Sequence, residues 1–235
     1  MPANSPIVLI DSRLPHSVIN RLRRVAEPVL LEPQPGVYAA ISAHPDIFFC
    51  LMEGVLVHSP ALSPLLLNNF REKGIPLLAG DKPPSNKYRA SAHYNAVVTT
   101  EYLIHCRTAI DPAILRLSSQ RNLKSIWVRQ GYTRCNLLPL NNNRFITSDR
   151  GILRALSLAG LGVFYYPPDD ILLPGFSHGF IGGCAGVWQH KVFFTGQPLD
   201  KNLRKSMEAF IDEAGMAIEY LSEGRLIDGG SLLFF

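Results

Sequence analysis

The feature that most constrains the fold is an order of elements that repeats along the whole chain. Its first complete copy has short apolar strands at 47–50 and 55–57 that read as a hairpin, a helix that starts at Ser59–Pro60, and a third strand at 75–78. Serine is a favourable helix N-cap and proline a favourable first helical residue, and Gly74 supplies the stop. The unit is therefore strand–strand–helix–strand.

The same order recurs three more times after residue 90. The copies have strands at 96–99, 102–105 and 125–128 around a helix from Asp111, strands at 137–138, 144–147 and 163–166 around a helix from Ser148–Asp149, and strands at 183–186, 191–194 and 216–220 around a helix from Asp200. Self-similarity at a period of roughly 45 residues indicates a solenoid, a propeller or an array.

The two ends of the chain supply the parts of a fifth copy. Residues 229–235 resemble a first strand, and a strand at 6–10, a helix at 14–27 and a strand at 29–31 would complete the unit. A unit split between the termini closes a circular array, and it would bury a hydrophobic C-terminus that is otherwise an aggregation hazard. We therefore predict one α/β domain, residues 1–235. The alternative is an unrelated α/β domain whose hairpins and helices alternate by chance.

Composition describes an ordinary globular protein. Hydrophobic residues make up 47% of the 235 residues, charged residues 18%, and the net charge is +4. We find no signal peptide and no apolar run of membrane-spanning length, and the four cysteines form no CxxC pair, so we expect a cytoplasmic protein with reduced thiols. The sequence has no GxGxxG, no HExxH and no His/Cys pair at ligand spacing, so we expect neither a cofactor nor a metal.

Three short motifs carry a family resemblance: 180–186 (FIGGCAG), 146–152 (ITSDRGI) and 228–232 (DGGSL). With the five units, they make the chain resemble the pentein superfamily, the five-bladed α/β-propellers of the glycine amidinotransferase type. It looks like an uncharacterised bacterial family of that fold. The resemblance implies a central channel that binds a guanidino or amino-acid-like compound, and a hydrolase or transferase that acts on a C–N bond of an amidine or guanidine.

The resemblance also implies which residues would do this work. A thiolate would attack the guanidinium carbon, an imidazole would move the proton, and carboxylates would grip the cation. The candidates for catalysis are Cys184, His178 and His93. The candidates for substrate binding, which precede the first strands of the units, are Asp46, Asn95, Asn136, Arg134, Asp228 and Ser231.

Two departures from the enzyme pattern keep the function open. Gly229–Gly230 is followed by Ser231 with no cysteine after it, and His178 begins no His-x-Asp pair. Cys184 would be a relocated nucleophile, although a small cysteine among glycines is more often a packing residue. Cys135, beside Arg134, is a second candidate thiol, and we expect Cys50 and Cys106 in the core.

A non-catalytic pentein that binds a macromolecule is the alternative function. Basic and aromatic residues mix in two loops, 82–89 and 129–134, and both loops follow the last strand of a unit. Such loops would share one face and could bind phosphate groups, including those of RNA. Solvated loop charge is the commoner explanation, so nucleic acid is not the favoured partner.

Overall fold

Five separate three-stranded sheets make up the fold of this computed structural model, which describes residues 5–235. The strands of the first half are β1 (Ile7–Asp11), β2 (Glu27–Leu31), β3 (Phe49–Met52), β4 (Val55–His58), β5 (Leu77–Ala79), β6 (Val97–Val98), β7 (Tyr102–Cys106) and β8 (Lys124–Val128). Those of the second half are β9 (Leu137–Pro139), β10 (Arg144–Thr147), β11 (Gly162–Tyr165), β12 (Ala185–Trp188), β13 (Lys191–Phe194), β14 (Ala217–Tyr220) and β15 (Leu233–Phe234).

Five helices connect the second and third strands of the sheets. They are α1 (His16–Leu22), α3 (Pro64–Glu72), α4 (Pro112–Gln120), α6 (Arg150–Leu158) and α7 (Lys201–Asp212), while α2 (Pro45–Phe48) and α5 (Thr133–Asn136) are single turns before β3 and β9. Short 3-10 helices lie at Ala39–Ile41, Ala90–Ala92 and Ile181–Cys184. Crossover helices are required here because the strands that they join are parallel.

Every sheet has the same internal pattern. The first strand pairs antiparallel with the second, as β3 does with β4 (Phe49↔His58), and the second pairs parallel with the third, as β4 does with β5 (Leu56↔Leu77). The sheet that both chain ends build follows the same rule, with β15 antiparallel to β1 and β1 parallel to β2. The predicted pentein-like α/β repeat, with one unit built from both termini, is confirmed.

Helix caps explain where the crossover helices begin. The side chains of Asp111, Asp149 and Asp200 accept hydrogen bonds from backbone N–H groups of the first turn, which have no partner inside the helix. These three starts were read correctly from the sequence. The start at Ser59 was wrong: Ser63 is the N-cap of α3, with Pro64 as its first residue, and Ser59 instead accepts a bond from Ala61 in the preceding turn.

A second difference lies before β3. Residues 47 and 48 belong to α2 rather than to the predicted strand at 47–50, and the strand begins at Phe49. Pro45 at the first helical position and Asp46 in the first turn favour a helical turn here, and both are buried. The apolar pattern of Ile47 and Phe48 is that of a buried element of either kind, so periodicity alone did not separate them.

Hydrophobic clusters join neighbouring units. Leu9 of β1, Phe49 of β3 and Leu233 of β15 lie in one buried cluster. Leu138 of β9 and Val192 of β13 lie in another. The units therefore share their cores rather than folding as separate hairpins. Within residues 5–235, no helix has the length and apolar character needed to cross a membrane.

We predict that the C-terminal strand carries a large part of the stability. Phe234 is 5% exposed, and its ring centroid lies 5.0 Å from that of Phe193. Phe234→Ala should lower the free energy of unfolding by about 3–5 kcal/mol through the cavity that it leaves. Leu65→Ala, at a helix position that is 82% exposed, is the control and should change it by less than about 0.5 kcal/mol. Urea titration measures both, and equal effects would contradict the prediction.

Candidate functional site

Each first strand is preceded by a short turn, and these five lead-in turns carry the site. The first strands, hereafter the inner strands, are β3, β6, β9, β12 and β15, and each lies at an edge of its sheet. The lead-in turns are residues 44–48, 90–96, 133–136, 180–184 and 228–232. Most of the site residues predicted from the sequence lie in these turns. His178 lies just before the fourth one.

Asp46 is the point where three lead-in turns meet. Its side chain is buried, and its Oδ2 accepts hydrogen bonds from Ser231 Oγ at 2.8 Å and from Cys135 Sγ at 3.1 Å. Gly182 O is a second acceptor near Ser231 Oγ, at 3.0 Å. Asp46 Oδ1 is sealed from solvent and has no hydrogen-bond partner. A buried carboxylate oxygen without a donor is costly, so this atom is a candidate acceptor for a ligand donor or a water.

Asn95 fixes Cys135 in this arrangement. Its Nδ2 donates to Cys135 Sγ at 3.1 Å and to Asp46 O at 3.0 Å. Its Oδ1 accepts from the backbone N–H groups of Arg134 at 2.6 Å and Cys135 at 3.1 Å. The amide therefore uses both ends to hold the thiol and the neighbouring backbone. Asn95 acts here as a positioning residue.

Asp228 and His44 form a second pair beside Asp46. Asp228 Oδ1 lies 3.8 Å from His44 Nδ1, and His44 Nε2 lies 3.8 Å from Asp11 Oδ2. Asp228 Oδ2 accepts from the backbone N–H of Phe180 at 2.9 Å, and Oδ1 from that of Gly230 at 3.1 Å. Burial raises the pKa of Asp228 to about 6, and His44 opposes that rise.

A cavity of about 250 Å³, hereafter the aromatic pocket, opens above these groups. Its polar lining includes His44, Cys135, Ser177, His178 and Asp228, and its apolar lining is Tyr38, Ile41, Tyr132, Leu173, Phe176 and Phe180. The hydroxyls of Tyr38 and Tyr132 are 2.7 Å apart, and the rings of Tyr38 and Phe176 are 5.8 Å apart between centroids. A mostly apolar cavity with a few convergent polar groups is the usual form of a small-molecule site.

The surroundings of Cys135 favour the protonated form of its thiol. Burial raises its pKa well above that of a free thiol, and the negative charge of Asp46 raises it further. The positive charge of the neighbouring Arg134 favours a thiolate, but desolvation and the nearby carboxylates outweigh it. Cys135 is therefore a hydrogen-bond donor to Asp46 in the resting site.

Cys184, His93 and Asn136 lie outside the aromatic pocket. Cys184 is fully buried within a hydrophobic cluster, and its Sγ donates to Phe180 O at 3.2 Å. His93 Nδ1 contacts Ala109 O at 2.6 Å, and Asn136 Nδ2 donates to Tyr132 O at 2.9 Å. The thiol that the structure brings to the pocket is thus Cys135, not the one first expected. His178 does line the pocket, with Nδ1 3.0 Å from Gly179 O.

The guanidinium of Arg134 hydrogen-bonds to residues that do not line the aromatic pocket. Its Nη1 donates to Gly182 O at 2.8 Å and Leu137 O at 3.3 Å, and its Nη2 donates to Ala185 O at 3.3 Å. The rest of its loop contacts the other basic loop, where the rings of Tyr88 and Tyr132 lie 5.7 Å apart. No group of three or more His, Cys, Asp or Glu side chains in residues 5–235 is arranged to hold a metal ion.

Sequence reasoning missed the aromatic wall. Tyr38 and Phe176 lie in long loops outside the repeated elements, and neither was singled out. The one sequence feature that could have indicated a role for them is their position, because each loop leads directly into a lead-in turn, at 44–48 and at 180–184. Within the glycine motif at 180–186, the side chain of Asp228 packs against Gly183, where a Cβ would collide with it.

Comparison with known proteins places the chain in a family. A family model matches residues 9–233, and it is described as a family of unknown function (DUF6873). The chain belongs to this family. A search of the curated proteins found no match.

Solved structures show the same fold. The chain is similar to the agmatine deiminase of C. jejuni (TM-score 0.57, 9% identity, covering 93% of this chain and 87% of that one). It is also similar to DDAH from Pseudomonas aeruginosa complexed with citrulline (TM-score 0.54, 8% identity, 91% of both chains). A third match is a cyanobacterial arginine dihydrolase, ArgZ (TM-score 0.58, 10% identity, 92% of this chain), of whose length this chain spans 36%. These are penteins.

We predict that Asp228 makes stability depend on pH. Its pKa is about 6 in the folded protein against about 3.9 in an unfolded chain, so the folded state keeps a proton that the unfolded state has lost. The stability from this proton is complete below pH 4 and is lost as pH rises to 6. Relative to Asp228→Asn, the wild type should therefore lose about 2 kcal/mol of unfolding free energy between pH 4 and pH 7. Urea titrations at each pH measure this, and a constant or rising difference would contradict it.

Proposed function

We propose that this protein binds a small guanidinium- or amidinium-bearing compound in the aromatic pocket. The observation that carries the proposal is the acidic floor of the pocket: Asp228 lines it directly, and Asp46 lies behind Cys135 with one unpartnered buried oxygen. A planar cation with several N–H donors would supply what these carboxylates lack.

The walls of the pocket favour the same ligand class. Tyr38, Tyr132, Phe176 and Phe180 present aromatic rings, whose faces attract cations at distances up to about 6 Å. The pocket volume, about 250 Å³, is slightly below the range for drug-sized ligands, roughly 300–1,000 Å³. A compact metabolite with a guanidinium or amidinium head meets both conditions.

The similar solved structures support this ligand class through the compounds that they act on or hold. They include an agmatine deiminase, an arginine dihydrolase and a protein complexed with citrulline. Arginine and agmatine carry a guanidinium group, and citrulline carries the corresponding urea. At 8–10% identity the likeness is one of fold, so it supports the proposal only together with the acidic floor.

A chemical step would use Cys135 and His178. The bound cation would lie against the Cys135 thiol and lower its pKa, because positive charge stabilises a thiolate. The thiol proton would pass to Asp46, its hydrogen-bond acceptor, and the thiolate would attack the central carbon of the amidinium. His178, which lines the pocket, would protonate the departing amine. We propose this step for Cys135 in place of Cys184, since Cys135 lines the pocket and Cys184 does not.

We predict that the pocket binds guanidinium compounds through Asp228. Methylguanidine and agmatine should bind to the wild type, and Asp228→Asn should weaken that binding by about 10–100-fold, the value of a hydrogen bond to a charged group. Methylurea, which matches methylguanidine in shape but carries no charge, should bind weakly to both proteins. Isothermal titration calorimetry at pH 7.5 measures all three.

Asp212→Asn is the matched control, because Asp212 is an exposed carboxylate on α7. It should leave the affinity for methylguanidine unchanged. Absence of binding to the wild type at millimolar ligand would overturn the proposal. Equal weakening by the two Asp→Asn variants would reduce the effect to net charge.

We predict, separately, that Asp46→Asn activates Cys135. Removing the carboxylate charge lowers the pKa of the Cys135 thiol, and Asn Oδ1 can still accept from Ser231 Oγ. Alkylation of Cys135 by iodoacetamide at pH 8 should therefore be at least several-fold faster in Asp46→Asn than in the wild type. Peptide mass spectrometry follows each cysteine, with the buried Cys184 as internal reference. A slower or unchanged rate at Cys135, or equal acceleration at both thiols, would contradict the prediction.

A further inference from the structure

A second cavity lies among the inner strands and shares no lining residue with the aromatic pocket. Its volume is about 200 Å³, and all five units line it through their inner strands or the residue just before them: Phe49–Leu51 of β3, Ala96 with Val97–Val98 of β6, Pro139 of β9, Val187 of β12, and Leu232 with Leu233–Phe234 of β15. Arg134, from the lead-in turn of β9, is the one charged residue of this lining. We call this space the inner-strand cavity.

The guanidinium of Arg134 is incompletely paired. Its Nη1 is occupied by Gly182 O and Leu137 O, but its Nη2 makes a single long bond to Ala185 O, and its Nε makes no hydrogen bond to any residue in 5–235. No carboxylate among the described residues accepts a hydrogen bond from it. The sealed, unpartnered side-chain atoms in residues 5–235 belong to His44, Asp46 and His105, so Nε retains accessible surface. The Nε–Nη2 side of a guanidinium is the fork that binds a carboxylate with two parallel bonds.

The rest of the lining adds no competing charge. Burial raises the pKa of Cys50 to about 12, so its thiol stays neutral. The other lining side chains are apolar. A cavity of this kind favours a ligand that has one negative charge and an apolar body.

The volume limits the ligand size. An engineered apolar cavity of about 150 Å³ accepts benzene, so a space of about 200 Å³ accommodates a ligand of roughly six to ten non-hydrogen atoms. We propose that the inner-strand cavity is a second binding site, which takes a small monocarboxylate whose carboxylate pairs with the Nε–Nη2 side of Arg134. This site depends on none of the residues proposed to bind a guanidinium compound, so either proposal can fail alone.

The test uses straight-chain carboxylates from acetate to decanoate, with benzoate, titrated into the whole protein by isothermal titration calorimetry at constant ionic strength. Affinity should rise with chain length until the cavity is filled and then fall. The matched primary amides should bind at least about tenfold more weakly, because they lack the charge. Equal affinity of acids and amides, or no binding of any acid at millimolar concentration, would overturn the proposal.

Two variants separate the charge from the space. Arg134→Lys keeps the charge but loses the planar fork, and it should weaken binding of the best carboxylate by about tenfold. Because that change also removes donors from three carbonyls, Val187→Phe provides a variant that leaves Arg134 intact and fills the cavity. It should abolish binding, whereas Val163→Phe, at a half-buried strand position outside the cavity, should not. Unchanged binding in Val187→Phe, with normal circular dichroism, would overturn the proposal.

Discussion

The buried carboxylate of Asp46 is the interaction on which the site depends. A carboxylate without water is tolerated only when donors surround it, and here the donors come from distant parts of the chain: the Ser231 hydroxyl and the Cys135 thiol. Asn95 adds a bond to the backbone carbonyl of the same residue. One side chain therefore ties together the lead-in turns of three units. The remaining acceptor, Oδ1, is the atom that this arrangement leaves unsatisfied.

Close backbone approach makes that convergence possible. A Cβ on Gly230 would collide with the side chain of His44, and one on Gly183 would collide with the carboxylate of Asp228. Gly230 also has a φ of +67°, which residues other than glycine rarely adopt. The glycines thus serve the packing of the acidic floor. Because this packing removes water, it raises the pKa of Asp228 and of the Cys135 thiol together.

The sequence predicted the repeat well and the chemistry only in part. Strand pairs, aspartate caps and the unit shared by the termini follow from local patterns, and those patterns survive in the fold. The choice between Cys135 and Cys184 cannot be made from local patterns. Both residues follow a polar or glycine-rich turn, and only the packing of the folded chain decides which thiol lines a cavity. Asp46 shows the same limit: its position before a strand was visible, whereas its partners Cys135 and Ser231 lie 89 and 185 residues away.

Two consecutive residues of α5 line the two cavities, and the cavities favour ligands of opposite charge. Cys135 faces the aromatic pocket, whose floor is acidic, and Arg134 lines the inner-strand cavity, which has no other charge. The charge of Arg134 stabilises the nearby Asp46 carboxylate, and that carboxylate in turn offsets part of the desolvation of the guanidinium. An anion bound to Arg134 would weaken its effect on Asp46, and a cation bound above Asp46 would weaken the effect of Asp46 on Arg134. Because these changes pass through one pair of charges, ligands in the two cavities would be thermodynamically coupled even without a movement of the backbone.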